Sequence, residues 1–282
     1  MQSKRKSTQK ENISLWLSRI VIWIVLIMVL FPALWIVMAS FSKGDSFFMT
    51  SLVPKQLSVE NYVSLFRETD FALWVFNSLK LCLIVAVIQL VLTSLSAYAF
   101  SRLRFPGRTK GLMALLVLQV FPNSMALAGY YVSDYQIWHL QYNFLAIILV
   151  LAAGSAFNIW LLKSYMDGIP KELDEAAFVD GAGHFTTFFR IVLPLATPEL
   201  VVIFLFSFIG TYSEYVISSV FLQSPGNFTL AIGLQSFITN QFAAHWTLFA
   251  AAAVLASLPI MLIFMMLQKY IQNGLTAGGV KG

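Results

Sequence analysis

Long apolar runs alternate with short polar ones along this chain, and the runs are the length of membrane crossings. Six carry few or no charges and approach the roughly 20 residues a helix needs to span a hydrocarbon core. They are Ile20 to Phe41, Asn77 to Phe100, Gly111 to Tyr130, Phe144 to Tyr165, Glu199 to Leu222 and Thr247 to Gln268. The pattern predicts an all-α integral membrane protein with six transmembrane helices. Pro32, Pro122 and Pro259 interrupt runs and mark candidate kinks.

Composition agrees: 59% of residues are hydrophobic, 11% are charged and the mean hydropathy is +0.77, outside the range of soluble domains. Charge then sets the orientation. Lys4, Arg5, Lys6, Lys10 and Arg19 precede the first run, Arg102, Arg104, Arg108 and Lys110 follow the second, and Lys163, Lys171 and Arg190 flank the segment after the fourth. Lys269 and Lys281 follow the sixth, whereas the opposite side keeps Lys43, Lys55, Arg67 and Lys80. The positive-inside rule therefore predicts a multi-pass membrane protein with both termini in the cytoplasm. The net charge of +5 is divided among separate loops, which suits anionic lipid headgroups and implies no nucleic-acid partner. The first run exceeds the 7 to 15 residues typical of a signal-peptide core, so it reads as an uncleaved anchor. Cys82 is the single cysteine and lies inside the second run, which excludes a disulfide framework or a cysteine metal cluster.

No internal repeat or low-complexity linker divides the chain, so residues 1–282 are read as a single membrane domain. On the outer side, Tyr131, Tyr135, Trp138 and Tyr142 read as interfacial belt residues. The third outer loop, Gln223 to Trp246, either docks an extracellular partner or packs on the tops of the helices.

The exception to the alternation is Glu175 to Pro194, EAAFVDGAGHFTTFFRIVLP, a polar two-part hairpin within a cytoplasmic segment of about residues 166–198. Pro170 followed by Glu172, Asp174 and Glu175 signals a helix start, and Gly181 and Gly183 supply a break. Beyond the break Phe185, Phe188, Phe189 and Val192 fall at i, i+3, i+4 and i+7, which predicts one apolar stripe on a short second helix. So small a loop has no interior of its own for that stripe, which calls for a groove elsewhere or the membrane surface.

Glu175, Ala176, Ala177, Gly181, Ile191, Leu193 and Pro194 together match the pattern E-A-A, three residues, G, nine residues, I-x-L-P, placed before the penultimate run. The chain in this respect resembles the transmembrane permease subunits of ATP-binding-cassette importers. The loop Ser101 to Lys110, SRLRFPGRTK, and the tail Asn273 to Gly282, NGLTAGGVKG, are similar to those of carbohydrate-uptake permeases of the maltose/maltodextrin type. The resemblance implies the maltose-type permease fold, a place in a bacterial cell (inner) membrane, and uptake of an oligosaccharide such as maltose or a maltodextrin. It also implies three protein partners: a second, larger permease subunit, an ATPase homodimer and an extracellular sugar-binding protein. Glu175, Ala176, Ala177, Gly181, Phe185, Phe188, Ile191, Leu193 and Pro194 would couple to the ATPase. Gly274, Gly278 and Gly279, in the tail of about residues 269–282, would reach the ATPase interface.

Candidate chemistry changes the picture little. No G-x-x-x-x-G-K-[ST] loop occurs, so ATP and magnesium belong on a separate subunit and this chain needs no cofactor. His139, His184 and His245 are isolated from one another and from other ligand types, and no metal site is expected. Glu214 is an acid inside the fifth run, which costs about 2.5 to 3.5 kcal/mol on insertion scales. With Tyr212 and Ser213 it either lines a pathway or pairs with a polar group of a partner subunit. Gln89, Thr93, Gln119, Asn123 and Asn158 are further intramembrane polar residues, for which interhelical hydrogen bonding is the default. An ion-coupled secondary transporter would also need buried polar groups near the midplane, whereas a membrane-embedded enzyme would need a catalytic cluster that the sequence lacks.

Overall fold

A computed structural model describes residues 9–44, 54, 56–120, 125–133, 143–239 and 245–279, with side chains from residue 15 to residue 270. Lys4, Arg5, Lys6, Lys55, Pro122, Asn123, Tyr135, Trp138, His139, Tyr142 and Lys281, singled out above, lie outside the described residues. The described backbone is helical apart from loops and one isolated bridge between Ser42 and Leu57.

In chain order the helices are α1 (Gln9–Ser40), α2 (Glu60–Glu68), α3 (Phe71–Arg102), α4 (Arg108–Val120) and α5 (Leu127–Val132). There follow α6 (Phe144–Ala153), α7 (Ala156–Asp167), α8 (Glu172–Val179), α9 (His184–Thr187) and α10 (Leu193–Leu195), the last two joined by a π-helical turn, Phe188–Val192. The series ends with α11 (Thr197–Tyr212), α12 (Val216–Phe221), α13 (Leu230–Ser236) and α14 (Trp246–Gly279).

The membrane class expected from the pattern is realised, but its crossings are less uniform. Leu15–Ser40, Phe71–Arg102 and Trp246–Tyr270 are each long and apolar enough to cross singly. Phe144–Ala153 with Ala156–Asp167, and His184–Leu195 with Thr197–Tyr212, make one further crossing apiece when the halves are joined, bent by 45° and 79°. The fourth run breaks at Gly154 and Ser155, and the fifth at Ser213 to Tyr215. The third run falls into α4, of 13 residues, and the short α5. Hydropathy reports the apolar length of a run and is blind to where the backbone turns inside it.

The chain forms two compact units. The first comprises residues 1–69 and 237–255. There Asn61 donates to the carbonyls of Ser40 and Ser42, both at 2.9 Å, and so ties α2 to the end of α1. The Tyr62 ring meets that of Phe41 at a tilt, centroids 5.3 Å apart, and its hydroxyl lies 2.7 Å from that of Ser40. From Leu15 to Leu34 every α1 residue is exposed, an apolar surface suited to lipid or to another subunit.

The second unit comprises residues 70–236 and 256–282, and its axis is α3. At 1.5 Å per residue this 32-residue helix is about 48 Å long, well beyond a hydrocarbon core of about 30 Å, so it reaches past the bilayer. At its Phe71 end, Leu81 and Val85 pack with Ala146, Ile147, Ile217, Phe221 and Leu222. The segment 223–236 is tied down there: Asn77 donates to the carbonyls of Gly226 and Phe228 at 3.0 and 3.1 Å, and the Leu230 amide donates to Ser78 Oγ at 2.7 Å. Gly233 of α13 lies so close to Trp74 that a Cβ would overlap the indole. Packing on the tops of the helices is therefore how this part of the third outer loop is held. At the Arg102 end a second core cluster receives the hairpin.

Candidate functional site

The hairpin is α8, the turn at Gly181, and the α9–π–α10 helix. Glu172, Asp174 and Glu175 fall in the first turn of α8, where the positive end of the helix favours carboxylates. Its far end closes as a Schellman motif: the Ala182 amide donates to the Ala177 carbonyl at 2.9 Å and the Gly181 amide to Phe178 at 3.1 Å. The motif needs a left-handed residue, and Gly181 has φ +82°. Phe178 meets His184 edge to face at 5.0 Å, closing the two arms on each other.

One face of the hairpin is buried within the same chain. Phe188, Val192 and Ala196 pack with Ala97, Tyr98, Leu162, Met166, Ile169 and Ile203, and the Phe188 and Tyr98 rings are 4.9 Å apart. The predicted single stripe is thus split: Phe188 and Val192 are 2% and 0% exposed, whereas Phe185 and Phe189 are 76% and 56% exposed. Two causes combine. The π turn from Phe188 to Val192 widens the helix locally and shifts the phase that an i, i+3, i+4, i+7 count assumes. The overhanging ends of α3 and α7 also supply the groove that the loop lacks. Pro194 does not end the helix; it sits in α10, and the chain bends only at Ala196 before Pro198 opens α11. The second arm therefore runs directly into a membrane crossing.

Polar contacts hold the same junction. Arg102 Nε and Asp174 Oδ2 form an ion pair at 2.5 Å with both side chains nearly inaccessible. Arg102 Nη2 donates to the Ile169 carbonyl at 2.9 Å, Ser101 Oγ to Asp167 Oδ1 at 2.7 Å, and the Tyr98 hydroxyl to the His184 carbonyl at 3.3 Å. Arg108 reaches back to the final carbonyls of α3, at Phe100 and Ser101. Exposed on the opposite side are Val179, Phe185, Phe189, Leu173 and Phe178, an apolar group drawn from both arms of the hairpin.

Among the coupling residues expected from sequence, Glu175, Ala176, Gly181, Phe185 and Pro194 are exposed, Ile191 and Leu193 half-buried, and Ala177 and Phe188 buried. Phe188 is therefore no free contact for another protein. Gly274, Gly278 and Gly279 fall in the backbone of α14, which is helical to Gly279, beyond the described side chains. Sequence reasoning missed the Arg102–Asp174 pair and its neighbours. The signal was present: Tyr98, Ser101 and Arg102 recur at i, i+3 and i+4, one face of the last turn of an otherwise apolar helix.

The same unit holds a cavity of about 900 Å³ lined by Gln89, Gln119, Tyr130, Asn158, Ser207 and Glu214, among others. It sits where two helices break. Gln89 Nε2 donates to the Leu151 carbonyl at 2.7 Å and Gln119 Oε1 accepts from the Phe157 amide at 2.6 Å, each satisfying a backbone group near the Gly154–Ser155 break. Asn158 Nδ2 donates to Ser207 Oγ at 3.3 Å. Glu214 accepts from the amides of Ile217 and Ser218 and from the Ser218 hydroxyl at 2.6 to 2.8 Å, and so caps α12. Irregular backbone at membrane depth survives only where such groups are met inside the protein. Of the trio proposed from sequence, Glu214 lines the cavity, Ser213 is exposed, and Tyr212 is buried with its hydroxyl donating to the Ala256 carbonyl at 2.9 Å.

Comparison with known proteins adds a third line of observation. Residues 11–277 match the family model described as binding-protein-dependent transport system inner membrane component. The chain is 41% identical over 257 residues to the maltodextrin transport system permease protein MdxG of Bacillus subtilis, covering 91% of this chain and 92% of that one. It is 37% identical over 276 residues to the galactooligosaccharides transport system permease protein GanQ of Bacillus subtilis, covering 97% and 98%. Among solved structures, a chain of a bacterial ABC transporter involved in the import of the acidic polysaccharide alginate superposes with a TM-score of 0.81 at 22% identity. The match covers 95% of this chain and 99% of that one, a likeness of fold.

Proposed function

The chain belongs to the family of binding-protein-dependent transport system inner membrane components, and on that premise we propose that it conducts an oligosaccharide, maltose or a maltodextrin, as half of a two-permease pathway driven by ATP. It is a transport component and not an enzyme, so the sugar crosses chemically unchanged. A second, larger permease supplies the other half, an extracellular binding protein delivers the sugar, and a pair of ATPase subunits carries the ATP and magnesium. The names of the relatives MdxG and GanQ support the substrate class. The distribution of basic residues between the apolar runs supports a cytoplasmic position for both termini.

One observation carries the coupling assignment. The hairpin is fixed to its own subunit on one side and offers Val179, Phe178, Phe185 and Phe189 on the other, and an exposed apolar group on so short a hairpin calls for a partner groove. That groove belongs to the ATPase. Glu175, Ala176 and Gly181 shape the exposed surface, while Ala177, Phe188, Ile191, Leu193 and Pro194 hold it in place. Displacement of the hairpin reaches α11 through the bend at Ala196 and so acts on the cavity at Glu214. Gly274, Gly278 and Gly279 extend toward the ATPase interface from the end of α14. The family match is to a binding-protein-dependent system and lends nothing to the ion-coupled alternative.

The test is to purify the importer intact in mild detergent and reconstitute it with its binding protein. ATP hydrolysis is then measured with maltotriose and, separately, with a galactooligosaccharide. Stimulation by maltotriose supports the full reading; stimulation by the galactooligosaccharide alone replaces the sugar but keeps the mechanism. Hydrolysis indifferent to both sugars overturns sugar import. A deletion of residues 273–282 is expected to slow hydrolysis, and an unchanged rate removes the tail from the mechanism.

A further inference from the structure

We propose that Arg102 and Asp174 are positioning residues for energy coupling: their buried ion pair keys the hairpin to the end of α3, so that hairpin and helix move as one body. The inference rests on the coupling reading above and extends it to residues outside the Glu175 to Pro194 signature.

Apolar packing of Phe188 and Val192 buries area but is non-directional, so by itself it lets two helices slide or rotate. A lever needs a fixed register. The last turn of α3 supplies one through three successive elements: Ser101 holds Asp167 at the end of α7, Tyr98 holds the His184 carbonyl at the start of α9, and Arg102 bridges the Ile169 carbonyl and Asp174 of α8. The planar guanidinium serves both contacts at once: Nε lies against the Asp174 carboxylate as an ion pair without hydrogen-bond alignment, while Nη2 makes the directed bond to the Ile169 carbonyl. The pair is nearly inaccessible, at 5% and 8% side-chain exposure. Burying two charges costs desolvation energy that an apolar pair of similar volume avoids, so geometry and not stability is what the pair contributes. Asp167 is also met by Lys163 one turn earlier, which leaves Arg102 to Asp174.

The test uses the assembled importer in proteoliposomes with maltotriose as the probe, and reads ATP hydrolysed per sugar imported. The only cysteine of the chain, Cys82, is buried, so a cysteine introduced by Val179→Cys gives a reporter crosslink from the exposed hairpin tip. The apolar double variant Arg102→Met/Asp174→Leu is expected to keep that crosslink to the ATPase while ATP used per sugar rises about tenfold, the scale of a disrupted coupling contact. An unchanged ratio overturns the proposal, because packing alone would then suffice. Loss of the crosslink in the variant alone also overturns it, since the pair would then be needed to build the hairpin and not to key it. A crosslink missing from the parent too sinks the docking reading instead, and the ratio alone decides the pair. Should the double variant fail to accumulate, Arg102→Lys keeps the charge but loses the second arm to Ile169. A rise of about threefold is expected there, and a parental ratio overturns the proposal.

Discussion

Two helix breaks in this protein are built on opposite principles. The hairpin turns at Gly181, where the absence of a Cβ permits φ +82° and the backbone closes its own hydrogen bonds in a Schellman motif. The fifth apolar run breaks at Ser213 to Tyr215, where the free amides of α12 are met by a side chain, the carboxylate of Glu214. Outside the bilayer a turn leans on water for whatever its backbone leaves over. Inside it, the turn must bring its own acceptor, even an acid that is costly to insert. The comparison explains why a glycine marks one break and a glutamate the other.

Variants order themselves by how much buried structure each removes. The largest stability loss is expected for Phe188→Ala, about 3 to 5 kcal/mol, since it empties the packing between the second hairpin arm and Tyr98. Thermal unfolding of the purified subunit complex would register it, and a melting point like the parent's would show that the hairpin does not rest on its own subunit. Glu214→Leu strands two amides and a hydroxyl but relieves the cost of an acid, for a net loss of about 3 kcal/mol. Glu214→Gln keeps one acceptor and should lie between. Equal stability of Glu214→Leu and the parent would remove the contrast drawn between the two breaks.

A smaller effect is expected at Gly181. A Cβ there meets nothing, so Gly181→Ala carries only the left-handed backbone penalty of about 1 to 2 kcal/mol. A bulky residue at the same exposed position should also uncouple ATP hydrolysis from uptake while membrane insertion stays normal; uptake at the parental rate would argue against its place in the coupling surface. Smallest of all in stability is Phe185→Ala, within about 0.5 kcal/mol, because the ring is mostly exposed. Its effect should fall on retention of the ATPase during purification, and retention as strong as that of the parent would move the docking surface elsewhere on the hairpin. The two phenylalanines lie three positions apart on one helical arm, so the pair separates anchoring from docking.

Much of this was legible in the residues. Apolar run lengths carry the membrane class, and the seven positions from Glu175 to Pro194 carry the family signature. Gly181 was readable as a break because the left-handed region excludes other residues. The division of the Phe185 to Val192 stripe was not, because a π turn leaves no clear mark in composition and the burying groove comes from α3 and α7, distant in sequence. Glu214 was visible as an intramembrane acid. Its role was open, because a carboxylate can pair with another subunit as readily as with amides three and four residues on, and only the backbone path decides.

The sequence by itself determined what is local or statistical: which segments prefer hydrocarbon to water, where a glycine permits a turn, and which signature stands before the penultimate crossing. Tertiary structure decided what depends on distant groups meeting: that Arg102 faces Asp174, that Gln89 and Gln119 serve backbone atoms of another broken helix, and that one half of an apolar stripe is already spent inside the subunit. The physical reason is range. Transfer free energy belongs to each side chain and adds along the chain, whereas a hydrogen bond or ion pair exists only when two elements are brought within about 3 Å in the right orientation.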